Sequence, residues 1–435
     1  MKSLLSFLVL TASALAQSSE YEEAPIRYSD STPHDAVARL QERLNQREFK
    51  FDGREKEVVM QMLGALKVSP KTQVVVFSKT SVQRVHISPQ NPRALYFSDD
   101  CYVGYVPGGL IEVVSMDPEL GPNFYSFDPM ERGSQVQRFR RDQNCLACHA
   151  GNFTRDIPGV FVRSVFAEAT GSPIFSAGSE VVDYTTPIAQ RWGGWYVTGQ
   201  HGAARHRGNV FAHDDGKEVT LDVERGANLS GLEKFFDPEL HLEPTSDIGA
   251  LMVLEHQVAV HQALTRAVHE CRRMLHYQRG LQESFKEPLT DEPSYDSVKS
   301  VFASKAQALL DVLLYKDEAS LPEGGIHGST DFVKAYEATG PRAKDGQSLR
   351  DLDFKTRIAR YRCSPLIYSE MFRKLPKPLH TRIVERLGHI LTDEKPDERY
   401  AYLADDERKA IAEILRETAP EITAAWAAKR TASTQ

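Results

Sequence analysis

The chain has 435 residues, 41% of them hydrophobic, enough for two or three domains with buried cores. Its 60 acidic and 53 basic residues give a net charge of −7, with no block of Lys and Arg and no acidic tail, which argues against a nucleic-acid partner. Beyond the first residues, no run is long and apolar enough to cross a bilayer.

The N-terminus reads as a secretory signal over residues 1–16. Lys2 supplies the positive charge and Leu4, Leu5, Phe7, Leu8, Val9 and Leu10 a short apolar run. Ala14-Leu15-Ala16 then fits a small-x-small cleavage site before Gln17. A periplasmic or otherwise exported protein is expected, with no stable membrane span after cleavage. The alternative is an uncleaved anchor, for which the run is short against the ~20 residues of a span.

Residues 17–32 are rich in Ser, Glu and Asp and predict a flexible lead-in. Ala36, Val37, Leu40 and Leu44 recur at helical spacing, and a second helix is expected over Glu55–Leu66. The pattern then turns to strands. Val74–Phe77, Ala94–Phe97 and Tyr102–Val106 are β-type runs, and the Pro107-Gly108-Gly109 turn predicts a hairpin with Leu110–Val114. Asn123–Phe127, Val160–Val162, Pro173–Phe175 and Gly193–Val197 extend the β character.

From about Gly231 helices return. Ser246-Asp247 caps a long one carrying Leu251, Leu254, Val258, Leu264 and Val268 towards Leu275. Others are expected over Tyr295–Leu314, Phe354–Tyr368, Leu379–Leu391 and Asp405–Leu415, with a fraying terminal helix at Ala424–Ala428. The expected fold class is α+β. A polar lead-in with N-terminal helices at 17–69 precedes a β-rich, motif-bearing region at 70–230 and an α-helical region at 231–435.

Five cysteines are present. Cys101, Cys271 and Cys363 can form at most one intrachain bridge, or serve as buried small hydrophobes. The other two lie in Cys145-Leu146-Ala147-Cys148-His149, the attachment pattern of c-type haem. Thiols three positions apart reach the two vinyl groups of one porphyrin, and the following histidine can bind the iron. The alternatives are a redox dithiol, half of a zinc site, or a disulfide beside a surface histidine.

The stretch Gln143–Gly151 resembles the haem-attachment segments of bacterial exported proteins with a cytochrome c domain. The resemblance implies one covalent haem c on Cys145 and Cys148, His149 as axial iron ligand, and electron transfer with a redox partner protein. A small cytochrome c places its axial Met some tens of residues after the motif. Here the first Met after His149 is Met252.

The distal ligand is therefore open among several residues. His256 and His261 lie on the long predicted helix, about 140° apart, so both cannot face one iron. His201, His206 and His213 follow the aromatic turn Trp192-Gly193-Gly194-Trp195-Tyr196, which could pack on a porphyrin; as a second metal site their spacing matches no standard zinc pattern. Met130, Met252, Met274 and Met371 are further candidates, each more readily read as core packing. Arg138, Arg140, Arg141 and Arg155 could pair with haem propionates or form a solvated face. Electron transfer is the first expectation; a peroxidase-like haem oxidoreductase and a haem-based sensor or binding subunit are the alternatives. Redox partner and oligomeric state are not legible.

Overall fold

The computed structural model describes residues 19–131, 136–395 and 397–432. The predicted signal segment lies outside them. Residues 19–32 are docked, a correction to the flexible lead-in. Tyr21, Ile26 and Tyr28 are buried against Leu120, with Leu146 and Ala150 of the attachment segment packed beside them. The Tyr28 hydroxyl donates to the Pro122 carbonyl at 2.6 Å. Three large apolar side chains in an otherwise acidic stretch suffice to hold it, since each stabilises by about 1.5–3 kcal/mol when fully buried.

Two helices follow, α1 (Ala36–Asn45) and α2 (Glu55–Ala65). The Asp35 carboxylate caps α1 by accepting from the Ala38 N–H at 2.9 Å. Five strands then run as a meander: β1 (Val74–Val76), β2 (Arg93–Phe97), β3 (Cys101–Tyr105), β4 (Ile111–Asp117) and β5 (Gly121–Phe127). Next come β6 (Arg140–Arg141), the one-turn helix α3 (Leu146–His149), β7 (Val162–Val165), β8 (Ser179–Val182), β9 (Trp195–Tyr196), and a small hairpin of β10 (His213–Asp214) and β11 (Val219–Thr220). The main sheet has seven strands in the order β6-β5-β4-β3-β2-β1-β9, with antiparallel neighbours throughout.

The sheet's two faces follow the period-two alternation of its strands. Ala94, Tyr96, Val103, Val113, Tyr125 and Phe127 join α1 and α2 in one core. The opposite face presents Phe97, Tyr102, Met116 and Phe124 to a second, larger core built on α4 (Ile248–Phe285). This 38-residue helix starts at Asp247, whose carboxylate accepts from the Ala250 N–H at 2.9 Å. The predicted cap and start are borne out, and the helix runs ten residues beyond Leu275.

Six more α-helices follow among the described residues: α5 (Asp296–Leu313), α6 (Thr330–Glu337), α7 (Glu370–Arg373), α8 (Lys377–Thr392), α9 (Asp405–Thr418) and α10 (Pro420–Ala432). Their apolar faces continue the α4 core without a break, so the fold is α+β around connected cores. Among the described residues no helix is long and apolar enough to cross a membrane.

Three expectations fail here. The predicted helix over Phe354–Tyr368 is an irregular segment ending in a single 3-10 turn, Pro365–Tyr368. Phe354 has φ +54° and Ser364, ahead of Pro365, is extended, so helical geometry is blocked at both ends. Pro173–Phe175 forms one isolated bridge and leads into a 3-10 turn. Finally, α6 was not expected; the Ser329 side chain caps it, accepting from the Asp331 N–H at 3.2 Å.

Candidate functional site

The Cys145–His149 segment lies on a tight turn between β6 and β7. A 3-10 turn, Gln143–Cys145, runs directly into α3 and is capped by Asp142, which accepts from the Asn144 N–H at 2.9 Å. Cys145 is half-buried and Cys148 exposed, and neither forms a disulfide. Burial pushes the Cys145 thiol up to about 12, so it is a neutral S–H at physiological pH. Cys101, Cys271 and Cys363 are all buried and unbridged, as small hydrophobes would be.

His149 stands between the rings of Phe124 and Phe161, each centroid 4.8 Å from its own. Its Nδ1 lies 2.9 Å from the Gly159 carbonyl, which can only accept, so Nδ1 carries the proton. The Gly159 N–H donates back to the His149 carbonyl at 2.8 Å. This reciprocal clamp fixes the ring and leaves Nε2 with its lone pair and no hydrogen-bond partner. Burial also lowers the pKa of His149 below its ordinary 6.5, favouring the neutral imidazole.

Glycine is required at 159 for close approach. A Cβ there would stand 2.0 Å from Gln262 Oε1 and 2.9 Å from Thr154 Cγ2. Gly159→Ala is expected to destabilise the protein by about 1–3 kcal/mol and to open the clamp. Hydrogen exchange at the residue-159 amide reads this directly. Unchanged protection would mean that Gln262 swings aside and the clamp survives.

His149 lines a cleft of about 180 Å³ over the sheet face opposite α1 and α2. Arg93, Leu95, Gly104, Glu112, Val114 and Phe124 belong to its floor strands β2 to β5. Gly104 sits in register between Leu95 of β2 and Glu112 of β4. With no side chain on β3 at that point, Arg93 reaches across it to Glu112, 2.6 Å away. The walls come from Cys145, Cys148, Phe161, Arg163, Trp195 and, on α4, Leu254 and Val258. Trp195 Nε1–H donates to the Arg163 carbonyl at 2.7 Å, tying β9 to β7. The Arg163 guanidinium donates to Ser179 Oγ and lies over the Phe153 ring, 4.5 Å from its centroid.

None of the histidines proposed as a second ligand lines this cleft. His256 faces α5: Nε2 donates to the Val312 carbonyl at 3.0 Å and the ring stacks on Tyr315 at 3.6 Å. His261 is fully buried, with Nδ1 2.6 Å from the hydroxyl of Tyr102. His201 has both nitrogens engaged, by the Ala204 carbonyl and the Asn228 N–H, each at 3.0 Å. His206 packs against it, ring centroids 4.7 Å apart, and His213 is exposed on β10. Of the aromatic turn, Trp195 reaches the cleft, while Trp192 donates from Nε1 to buried Glu255 at 2.9 Å.

Met130 is exposed, Met252 and Met371 are buried, Met274 is partly buried, and all four lie off the cleft. Arg140 pairs with Glu131 at 2.9 Å, and Arg141 donates to the Tyr28 carbonyl at 2.7 Å. Arg138 and Arg155 do not line the cleft either. Its cations are Arg93 and Arg163, which sequence reasoning did not single out. Among the described residues no group of three His, Cys, Asp or Glu side chains converges as a metal site would require. No protein-family model, curated protein or solved structure matches the chain.

Proposed function

We propose that the chain is an exported c-type haem protein, holding one haem through thioethers from Cys145 and Cys148 with His149 as axial ligand, and exchanging single electrons with a partner protein. The observation that carries this reading is the orientation of His149. Its Nδ1–H is held by a backbone carbonyl, its Nε2 lone pair is free, and it opens onto an apolar cleft beside two unbridged cysteines. Bound haem would supply one-electron iron chemistry.

The chain's own residues would orient and shield it. Gly159 holds the imidazole, and Phe124 and Phe161 keep water from its faces. Arg163, short of an acidic partner, is a charge available to an anionic group at the mouth. The cleft volume of about 180 Å³ is below the ~300–1,000 Å³ of pockets that enclose a small ligand. The cleft as it stands would therefore cover only part of a macrocycle.

A second reading, a haem oxidoreductase or sensor with an open sixth position, is favoured by one observation. The described cleft lining contains no second His and no Met. A reduced-pyridine spectrum of protein matured with haem-attachment machinery tests the proposal. One haem per chain is expected in wild type, and Cys148→Ser is expected to lose one of the two thioether signatures. A colourless, unmodified polypeptide would sink the proposal. A low-spin ferric state supports the carrier, and a high-spin state that binds carbon monoxide supports the second reading.

A further inference from the structure

Residues 19–32 form a strap behind the Cys145–His149 segment, and none of them belongs to a strand. The backbone hydrogen bonds of the strap close on itself, from the Tyr28 N–H to the Tyr21 carbonyl at 2.9 Å and from the Ile26 N–H to the Glu23 carbonyl at 3.0 Å. Side chains tie it to the body. Arg141 donates to the Tyr28 and Ser31 carbonyls and lies over the Tyr28 ring, the Tyr28 hydroxyl donates to the Pro122 carbonyl, and Arg273 pairs with Glu20. Tyr21, Ile26 and Tyr28 meet Leu120 in a small core apart from the larger ones. A segment with so few buried apolar contacts and no place in the sheet lies at the low end of local stability and opens before the sheet does.

That small core is also the rear support of α3. Leu146 and Ala150, four positions apart, pack on it, while Cys145, Cys148 and His149 line the cleft. Leu146 lies between this core and the larger one on α4. With four residues and no side-chain cap, α3 is too short to hold helical geometry alone. The segment is pinned at its two ends by other contacts. The Asp142 N–H donates to the Phe124 carbonyl at 2.9 Å, and His149 is clamped to Gly159. Between the pins sits half-buried Cys145, on the stretch that the strap backs.

We propose that the strap gates the attachment cleft: when it lifts, Leu146 loses its rear support and the Cys145 end of α3 moves out, while the Gly159 clamp stays closed. The movement itself does not depend on haem. Its use rests on the haem reading above. A lifted strap would let a macrocycle enter a cleft whose closed volume is about 180 Å³, and re-docking of Tyr21, Ile26 and Tyr28 would set the segment back against it.

The test uses the full mature chain without haem, with Ile26→Asp to release the strap. Alkylation by iodoacetamide, read by peptide mass spectrometry, is expected to speed at least about tenfold at Cys145, because a solvated thiol returns towards its ordinary pKa of about 8.5. Cys148, already exposed, is expected to change by less than about twofold. Cys101, Cys271 and Cys363, all buried, stay unreacted while the chain is folded. Should the variant expose them, the milder Ile26→Ala takes its place. Hydrogen exchange is expected to quicken at the residue-28 amide and to stay protected at the residue-159 amide. Unchanged Cys145 alkylation beside a freely exchanging residue-28 amide would overturn the gate, and so would loss of protection at residue 159. Haem added to the folded protein is expected to enter the variant about tenfold faster than wild type, and equal rates would also overturn the gate. No uptake by either protein would count against the haem reading, with the gate then decided by alkylation.

Discussion

Glu255→Ala is expected to destabilise the folded chain by about 3–5 kcal/mol, because it strands a fully buried guanidinium. Glu255 and Arg191 are both 0% exposed at the side chain and meet at 2.6 Å. The second carboxylate oxygen accepts from Trp192 Nε1–H at 2.9 Å, and the rest of the guanidinium donates to the Thr186 and Tyr184 carbonyls. Every polar atom of the pair is thereby satisfied, and removing one partner leaves the other charge without water or counter-ion. Trp192 has φ +68°, a left-handed backbone that this network holds in place. Urea unfolding reads the effect. The double variant Glu255→Leu/Arg191→Met is expected to recover much of the loss, since apolar replacements remove both desolvated charges. Additive losses in the double variant would show that the charges are not the cause.

His256→Phe is expected to change the pH dependence of stability by about 3 kcal/mol between about pH 7 and 4.5. Burial drives the His256 pKa down to about 3, while in the unfolded chain it returns to near 6.5. Below 6.5 the unfolded chain therefore takes up a proton that the folded chain refuses. The contribution of His256 is fully present above pH 6.5 and is lost on acidification, at about 1.4 kcal/mol per pH unit, until the folded pKa is reached. Phenylalanine keeps the stack on Tyr315 and removes the titration. The difference between the two proteins cancels every other titrating group. Urea midpoints across this range measure it, and a difference independent of pH would show that His256 protonates without unfolding.

Much of the architecture was legible because local signals agreed with their surroundings. The β-type runs of β2 to β5, helical spacing in α1, and Asp247 as a cap each led to the observed element. The failures have local reasons too. The 354–368 stretch spaces its apolar residues like a helix, but Pro365 and the left-handed Phe354 forbid one. The lead-in reads as flexible by composition, while Tyr21, Ile26 and Tyr28 together dock it. At the site, Cys145, Cys148 and His149 stood out because they are neighbours in sequence. Gly159, ten residues on, Arg93 and Glu112 did not, because only strand register and the missing side chain of Gly104 bring them to the cleft. The distal candidates were chosen by residue type; helix rotation turns His256 towards α5, while His261, on the stripe of Leu254 and Val258, stops at the hydroxyl of the cleft-lining Tyr102.

Five consecutive residues of α4, 254–258, serve four separate neighbourhoods. Leu254 and Val258 wall the cleft beside His149, Glu255 holds the buried ion pair, His256 stacks on Tyr315, and Gln257 donates to the Ser98 carbonyl between β2 and β3, with His261 on Tyr102 one turn further. A helix is stiff along its axis, so these neighbourhoods are cams on a single shaft. A substitution that rotates or slides this stretch shifts all of them in step. Double-mutant cycles between the cleft side of α4 and its Gln257 side should consequently return coupling energies where side chains never touch.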